Sequence, residues 1–368
     1  KKIINYIFDK YKNKYLFKTK NQMIEFFKTF DTDQLDLTEE NVNNYSFVDY
    51  IYYTNDFELI NSLINICDIN KIPKYTKNSL LILLSDDIDK ENNEITLNKI
   101  KLLLDNNINP NAMNNNNNTA LIKFSSLNNI KMVQLILNYK PDVNLQNINK
   151  TTALMNACRH NNIEMVKLLL NHNADINIKN CNNYNSFEIA CLNNYNDIIK
   201  EMLKHNVDIA NSNSLDIVTK NNNNNIIKLL LNTYKDFSTS EIKKALITLS
   251  KNDNIECIKL LLEYNNNYNT VEDLEALLYL CKNNNFEAVE TLIKYNKKLN
   301  LNIIIDNTTI FIEACKYSNL EIIELLLNSF TFNINTKNLK NSYPLKLACE
   351  TKNESLIKLL LKNNIIIE

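Results

Sequence analysis

Apolar residues recur along most of the chain in short groups that are spaced three and four residues apart. Between Asn162 and Leu170, the residues Ile163, Val166 and Leu169 follow this spacing. Such a spacing places apolar side chains on one face of an α-helix. Similar stretches begin at Asn129, Asn254 and Asn319. The pattern therefore predicts one amphipathic helix, repeated many times.

A second, shorter apolar group precedes each of these helices. Leu154, Ala157 and Cys158 again have helical spacing. Each unit is therefore predicted to contain a short inner helix, a tight turn, a longer outer helix and an exposed loop, here called a finger. One such unit cannot bury its apolar face alone, whereas stacked neighbours can. The sequence predicts a stacked array of these units.

The repeat period can be measured from one apolar position in each outer helix. The markers are Leu63, Leu103, Ile136, Leu169, Met202, Leu230, Leu261, Leu292, Leu326 and Leu360. The intervals between them are 40, 33, 33, 33, 28, 31, 31, 34 and 34 residues. The long interval predicts an insertion at Ser85–Glu94, and the short one predicts a truncated finger near Asn211.

Residues 150–177 resemble the ankyrin repeat, whose pattern is G-x-T-P-L-H-x-A-A-x-x-G-H-x-E-x-V-x-x-L-L-x-x-G-A-D-x-N. The matching stretch reads KTTALMNACRHNNIEMVKLLLNHNADIN. The resemblance covers roughly residues 44–368 and implies an all-α solenoid of about nine or ten stacked repeats. Residues 1–43 are expected to form an N-terminal helical cap or a divergent repeat. Because a solenoid needs a polar cap, the apolar end at 364–368 predicts that the array continues further.

The chain departs from the family pattern because it contains no glycine, where average usage predicts about 26 residues. This excludes glycine-rich phosphate loops, dinucleotide-binding fingerprints and the nucleophile elbow. By contrast, 73 residues are asparagine, the next-best residue for a positive φ. Asparagine is expected at the two glycine turns of the unit, at Asn107, Asn128, Asn161, Asn173, Asn194, Asn206, Asn265, Asn284, Asn296 and Asn364. Lys140 and Phe330 depart from this pattern.

Charge and cysteine usage further restrict the function. With 41 basic and 42 acidic residues, the chain has no overall field for nucleic acid or an anionic membrane, and it has no apolar run of transmembrane length. Five cysteines are expected in one small buried slot of the inner helix: Cys158, Cys191, Cys281, Cys315 and Cys349. Neighbouring helices pack about 8–10 Å apart, too far for a disulfide between these positions. Reduced thiols in the cytoplasm are therefore predicted.

No motif indicates chemistry within the chain. His172 and His205 occupy equivalent positions in successive repeats, but no further ligands are spaced to complete a metal site with them. No base is paired with a serine or cysteine nucleophile. The sequence predicts no enzyme, cofactor, metal or small-molecule site, and a monomer.

The candidate binding residues form a column at the C-terminal ends of the inner helices. Its basic members are Arg159, Lys220, Lys251, Lys282 and Lys316, and the equivalent positions Leu192 and Glu350 interrupt or end it. The neighbouring candidates are Lys123, Leu127, Asn156, His160 and Tyr317. In ankyrin arrays this end lies near the concave partner groove, so the column is suited to an acidic peptide or helix. The competing interpretation is that lysine merely stabilises a helix C-terminus. The candidate finger tips are Asn115, Asn116, Ile148 and Asn149.

The resemblance implies a protein–protein interaction scaffold or adaptor that binds a partner through the inner-helix and finger surface. The alternative is a targeting module of a larger protein, whose catalytic or effector domain lies outside this segment. The identity of the partner is not encoded in any motif, because exposed variable positions determine recognition.

Overall fold

The computed structural model describes residues 93–264, 271–296, 299–317, 320–337 and 343–363. The predicted cap at 1–43 and the predicted repeats before residue 93 lie outside the described residues, as do Asn265 and Asn364.

Seventeen helices account for most of the described ranges. They are α1 (Asn93–Asp105), α2 (Ala120–Ser126), α3 (Ile130–Leu137), α4 (Ala153–Arg159), α5 (Ile163–Asn171), α6 (Ser186–Leu192), α7 (Asn196–Met202), α8 (Ser214–Lys220), α9 (Asn224–Thr233), α10 (Thr239–Lys251), α11 (Ile255–Tyr264), α12 (Val271–Lys282), α13 (Phe286–Tyr295), α14 (Ile310–Tyr317), α15 (Leu320–Ser329), α16 (Pro344–Glu350) and α17 (Glu354–Lys362). Within those ranges the only β-pairing is one bridge between Ile305 and Thr308. The predicted all-α repeat class is confirmed.

The helices alternate between an inner and an outer row, so that even numbers are inner and odd numbers are outer. The described chain divides into two compact units. In the first unit, residues 93–190 and 200–207, α2 packs on α4 and α3 packs on α5. In the second unit, residues 191–199 and 208–363, the inner helices α8, α10, α12, α14 and α16 pack in succession, as do the outer helices α9, α11, α13 and α15. Each unit is thus a stack of helix pairs.

The apolar faces predicted from the spacing form the core of the stacks. Every marker residue from Leu103 onward is at most 2% exposed. Burying one such side chain contributes about 1.5–3 kcal/mol to folding. Because a face is buried only when the next pair covers it, the stability of each pair depends on its neighbours.

Asparagine fills the left-handed positions between the two helices of a pair, as predicted. Asn128, Asn161, Asn194 and Asn284 have φ values between 52° and 58°. The equivalent positions hold Asn222, Asp253 and Lys352, which are also left-handed. The short polar side chain of asparagine tolerates this region better than other residues with a Cβ.

The second turn, which follows the outer helix, is less uniform. Asn107 and Asn173 have φ values of 60° and 63°, as predicted. The prediction is wrong for Asn206, which has no positive φ, and for Asn296, whose φ is −132°. Lys140 adopts φ 52° although it is a lysine, so this turn geometry is imposed by the packing of the pair and not by the residue alone.

The strongest finger truncation lies one repeat later than Asn211. Residues 234–238 are all that join α9 to α10. Inner helix α10 has 13 residues and its outer partner α11 has 10, which reverses the predicted short–long order. A capping box explains the early start of α10, because Ser238 and Glu241 each bond the other's backbone N–H.

The short connection before α10 is held by aromatic packing. Phe237 packs between the rings of Tyr234 and Tyr264, with ring centroids 4.8 Å and 6.1 Å away.

Candidate functional site

An asparagine at the start of most outer helices joins each repeat to the one before it. The side-chain oxygen of Asn162 accepts a hydrogen bond from Met165 N at 2.9 Å, which caps α5. Its amide group donates to Asn128 Oδ1, in the turn of the preceding repeat, at 2.6 Å. In the second unit, the same bond runs from Asn223 to Asn194, from Asn254 to Asn222 and from Asn285 to Asp253. The left-handed turns and helix caps thus form an inter-repeat asparagine ladder.

A second set of amide groups joins the C-terminal ends of the inner helices. Asn221 Nδ2 donates to Cys191 O and Leu192 O, both at 3.1 Å. Asn252 and Asn283 donate in the same way to Thr219 O at 3.3 Å and Ser250 O at 2.9 Å. These bonds hold the ends of α6, α8, α10 and α12 side by side. The predicted column residues occupy this edge.

Each column residue lies at or next to the last residue of its inner helix, as the spacing predicted. In the second unit these residues are Leu192, Lys220, Lys251, Lys282 and Lys316. All of them are exposed except Lys282, which is half-buried. In the first unit, Arg159 ends α4 and is exposed. The second unit therefore presents a row of lysines along one edge of its inner helices.

Tyrosine rings hold three of these lysines in place. Lys251 Nζ and Lys282 Nζ lie 4.4 Å and 5.5 Å from the centroid of the same ring, that of Tyr279. Lys316 Nζ lies 4.6 Å from the centroid of the Tyr317 ring. A cation over an aromatic face is attracted by the ring quadrupole. We call these five residues the lysine–tyrosine cluster.

Tyr279 was not among the site residues predicted from the sequence. The available signal was its position three residues before Lys282, a spacing that brings two side chains together on a helix surface.

Acidic residues offset part of the positive charge of the column. Lys220 forms a 2.7 Å ion pair with Asp216 on the same helix. Lys251 lies 3.9 Å from Glu275 of α12. A hydrogen bond with Tyr317 and the nearby charge of Glu313 raise the pKa of Lys316 above its usual value. Exposed ion pairs are weak, and the cluster keeps an excess of positive charge.

Comparison with known protein families identifies the repeats. The family model described as ankyrin repeats (3 copies) matches residues 124–213, 215–303 and 277–368. The chain belongs to the ankyrin repeat family. Ankyrin repeats are generally protein–protein interaction modules. No curated protein gives a significant match to the chain.

The finger tips of the ankyrin array are exposed where the sequence placed them. Asn115, Asn116, Ile148 and Asn149 are all exposed, and Ile148 is 56% accessible. Successive tips are joined through the backbone, because Ile148 N donates to Asn116 O at 3.0 Å. The first unit thus presents an ordered row of finger tips with one large apolar side chain.

Asn156 does not belong to the exposed surface, which corrects the prediction. It is 7% exposed, and its amide donates to Ile122 O of the neighbouring inner helix at 3.2 Å. Its oxygen accepts from Arg159 Nη1 at 3.2 Å. The cause is its position on α4, which turns the side chain toward α2. Asn156 is a structural residue of the ankyrin stack.

The other residues predicted to lie beside the column differ in how far their side chains are exposed for contact with a partner. Leu127 and Tyr317 are 46% and 48% exposed. Lys123 is half-buried. His160 is exposed, but its Nε2 lies 2.7 Å from Ser126 O of the preceding ankyrin repeat. One ring nitrogen therefore forms a hydrogen bond between repeats. Leu127 and Tyr317 are therefore the large apolar side chains next to the column.

The cysteine slot of the ankyrin unit is buried at Cys158, Cys191, Cys281 and Cys315. Burial raises the pKa of the Cys158 and Cys315 thiols far above the usual range. Cys349 is exposed, contrary to the prediction. It lies on α16, the last inner helix among the described residues, which packs on one inner-helix neighbour there, α14.

Neither a metal site nor a membrane-spanning helix is present among the described residues. No three His, Cys, Asp or Glu side chains there approach closely enough to hold a metal ion. None of the helices in those ranges combines the length and the apolar character needed to cross a membrane.

Proposed function

We propose that this ankyrin array is a protein-interaction scaffold or adaptor, and that its partner binds the edge formed by the C-terminal ends of the inner helices. The observation that carries the proposal is the row of exposed side chains on this edge of the second unit, from Leu192 to Lys316. The asparagine ladder supports it, because bonds between repeats hold such a row in a fixed register before the partner arrives.

We propose in addition that the first unit contributes Leu127, Arg159 and its finger tips to partner recognition. Exposed large apolar residues beside charged ones are typical of binding anchors. The array is proposed to extend over residues 44–368 after a cap at 1–43, and to act as a monomer in the reducing cytoplasm, where its thiols stay free.

Site-specific photo-crosslinking tests which surface the partner occupies. A photoreactive amino acid is placed in the full chain at Leu192 or Leu127, and at Leu361 as the matched control, since these residues are 40%, 46% and 44% exposed. Taking each unit by itself, the proposal expects a partner protein to be crosslinked from Leu192 in the second unit and from Leu127 in the first, and none from Leu361. Equal crosslinking from all three positions would show that the inner-helix edge is not the binding surface.

A further inference from the structure

Two lysines from neighbouring ankyrin repeats converge on one tyrosine in the second unit. Lys251 ends α10 and Lys282 ends α12, and both ammonium groups lie over the Tyr279 ring. Tyr279 is half-buried, so one part of its side chain packs in the stack while the rest meets the surface. The position of both charges is therefore set by the fold, which lowers the entropy cost of binding an anion there.

We infer that the lysine–tyrosine cluster is the docking site for an extended acidic protein segment, whose carboxylates contact Lys251, Lys282 and Lys316 in turn. The inference rests on the proposed function and deepens it by naming the chemistry of the partner.

Charge complementarity carries the choice of an acidic partner. Two carboxylates lie near the three lysines of the cluster: Glu275, at 3.9 Å from Lys251, and Glu313, whose charge acts on Lys316. Lys220, next along the column, is already paired with Asp216 at 2.7 Å. The electrostatic attraction for a partner is therefore greatest from Lys251 to Lys316. A positive row of this kind accelerates and orients the approach of an acidic segment.

The repeat spacing indicates an extended conformation. Stacked helices are separated by about 8–10 Å, and three residues of a polyproline II segment advance about 9.3 Å and return to the same face. Every third residue of such a segment thus meets the next inner helix. The rings of Tyr279 and Tyr317 add aromatic surface between the lysines, and extended segments of this type bind to aromatic-lined surfaces.

Peptide binding to the full chain tests the inference. The probe is a fluorescent twelve-residue peptide with glutamate at every third position and proline between, measured by anisotropy at low salt. The control peptide has the same composition with its glutamates in one block. The variants are Lys251→Gln/Lys282→Gln and, as the matched control, Lys131→Gln/Lys200→Gln, two exposed outer-helix lysines. Thermal melts verify that each variant folds.

We expect the spaced peptide to bind the native chain and to lose about tenfold in affinity with the cluster variant, while the control variant changes affinity by less than about twofold. Weaker binding after Tyr279→Leu would further support the cluster. Equal binding to the cluster variant, equal binding of the block peptide, or tighter binding of a uridine oligonucleotide would overturn the inference. Each of these results leaves the crosslinking test of the proposed function unaffected.

Discussion

At the scale of the residue, asparagine performs two tasks in this ankyrin stack. It adopts the left-handed turn between the helices, and it caps the outer helix while bonding the preceding repeat. The first task could be predicted from the sequence, because the glycine slots of the family pattern contain asparagine. The second could not, because the spacing of residues 128 and 162 does not reveal that their side chains meet.

Asparagine in a left-handed turn costs more than glycine where the side chain does nothing else. Asn161 and Asn173 are exposed and have φ values of 52° and 63°. We therefore expect Asn161→Gly and Asn173→Gly each to stabilise the chain by about 0.5 kcal/mol in urea unfolding. Asn128→Gly is the matched comparison, and it should gain less because it removes the acceptor of Asn162. A lower melting temperature in both of the first two variants would refute the account of these turns.

The asparagine ladder predicts an effect of a single amide. Asn285 caps α13 through its oxygen and donates from its amide to Asp253 at 2.5 Å. Asn285→Asp keeps the cap and places two carboxylates against each other. We expect a loss of about 1–2 kcal/mol at pH 7 in urea unfolding, because the two facing carboxylates repel each other. Asn129→Asp, which keeps the cap of α3, is the control. If both variants lose the same free energy of unfolding, loss of the ladder bond is not the cause of the destabilisation.

Thiol reactivity reports the burial of the cysteine slot. Because the thiolate is the reactive form, the raised pKa values of Cys158 and Cys315 should suppress alkylation of both. We expect iodoacetamide at pH 8 to label Cys181 and Cys349, which are exposed, and to spare Cys158 and Cys315 until urea is added. Mass spectrometry of the digested protein gives the extent at each site. Rapid native labelling of Cys158 would contradict the buried slot.

At the scale of the element, the periodicity predicted the helices well and their lengths less well. The i, i+3, i+4 spacing identified the inner and outer helices from Ala120 onward, since burial of one face fixes that spacing. The spacing did not predict the extended N-terminus of α10. A helix begins where a capping residue bonds the free backbone N–H groups of its first turn, and apolar spacing does not report this. The signature Ser238-x-x-Glu241 was present in the sequence and is a recognised helix start. The unusual length of α10 therefore follows from a local signal and not from the repeat.

At the scale of the whole molecule, neighbouring pairs are held by three kinds of contact: buried apolar faces, the amide ladders and ion pairs between outer helices. The ion pairs follow the repeat, from Lys167 to Glu201 in the first unit and from Lys259 to Glu287 in the second. The site was less predictable than the fold. The lysine column could be predicted by aligning equivalent positions of the repeats. The contact of its lysines with the Tyr279 ring and the burial of Asn156 could not, because both depend on contacts between repeats.

The ion pairs predict how stability depends on pH. A hydrogen bond from Lys228 lowers the pKa of Glu256 below that of a free glutamate, and a bond from Lys204 does the same for Glu201. A lowered carboxyl pKa adds stability that is present above the unfolded pKa and is lost as pH falls through the folded value. We expect Lys228→Met to flatten the loss of melting temperature between pH 6 and pH 3. If melting temperature falls with pH equally steeply in Lys228→Met and Lys131→Met, the ion pair between Lys228 and Glu256 contributes nothing to the pH dependence of stability.

Reversing the charges of the column is the most direct test of the central claim, that the partner binds the inner-helix edge of the second unit. The measurement is the affinity of the partner identified by crosslinking for the native chain, for Lys251→Glu/Lys282→Glu/Lys316→Glu, and for the control Lys131→Glu/Lys200→Glu/Lys358→Glu on exposed outer-helix positions. We expect the column variant to bind the partner at least about tenfold more weakly than the native chain, with the difference reduced by salt. We expect the control variant to bind as the native chain does. An unchanged affinity of the column variant at low salt would contradict this claim.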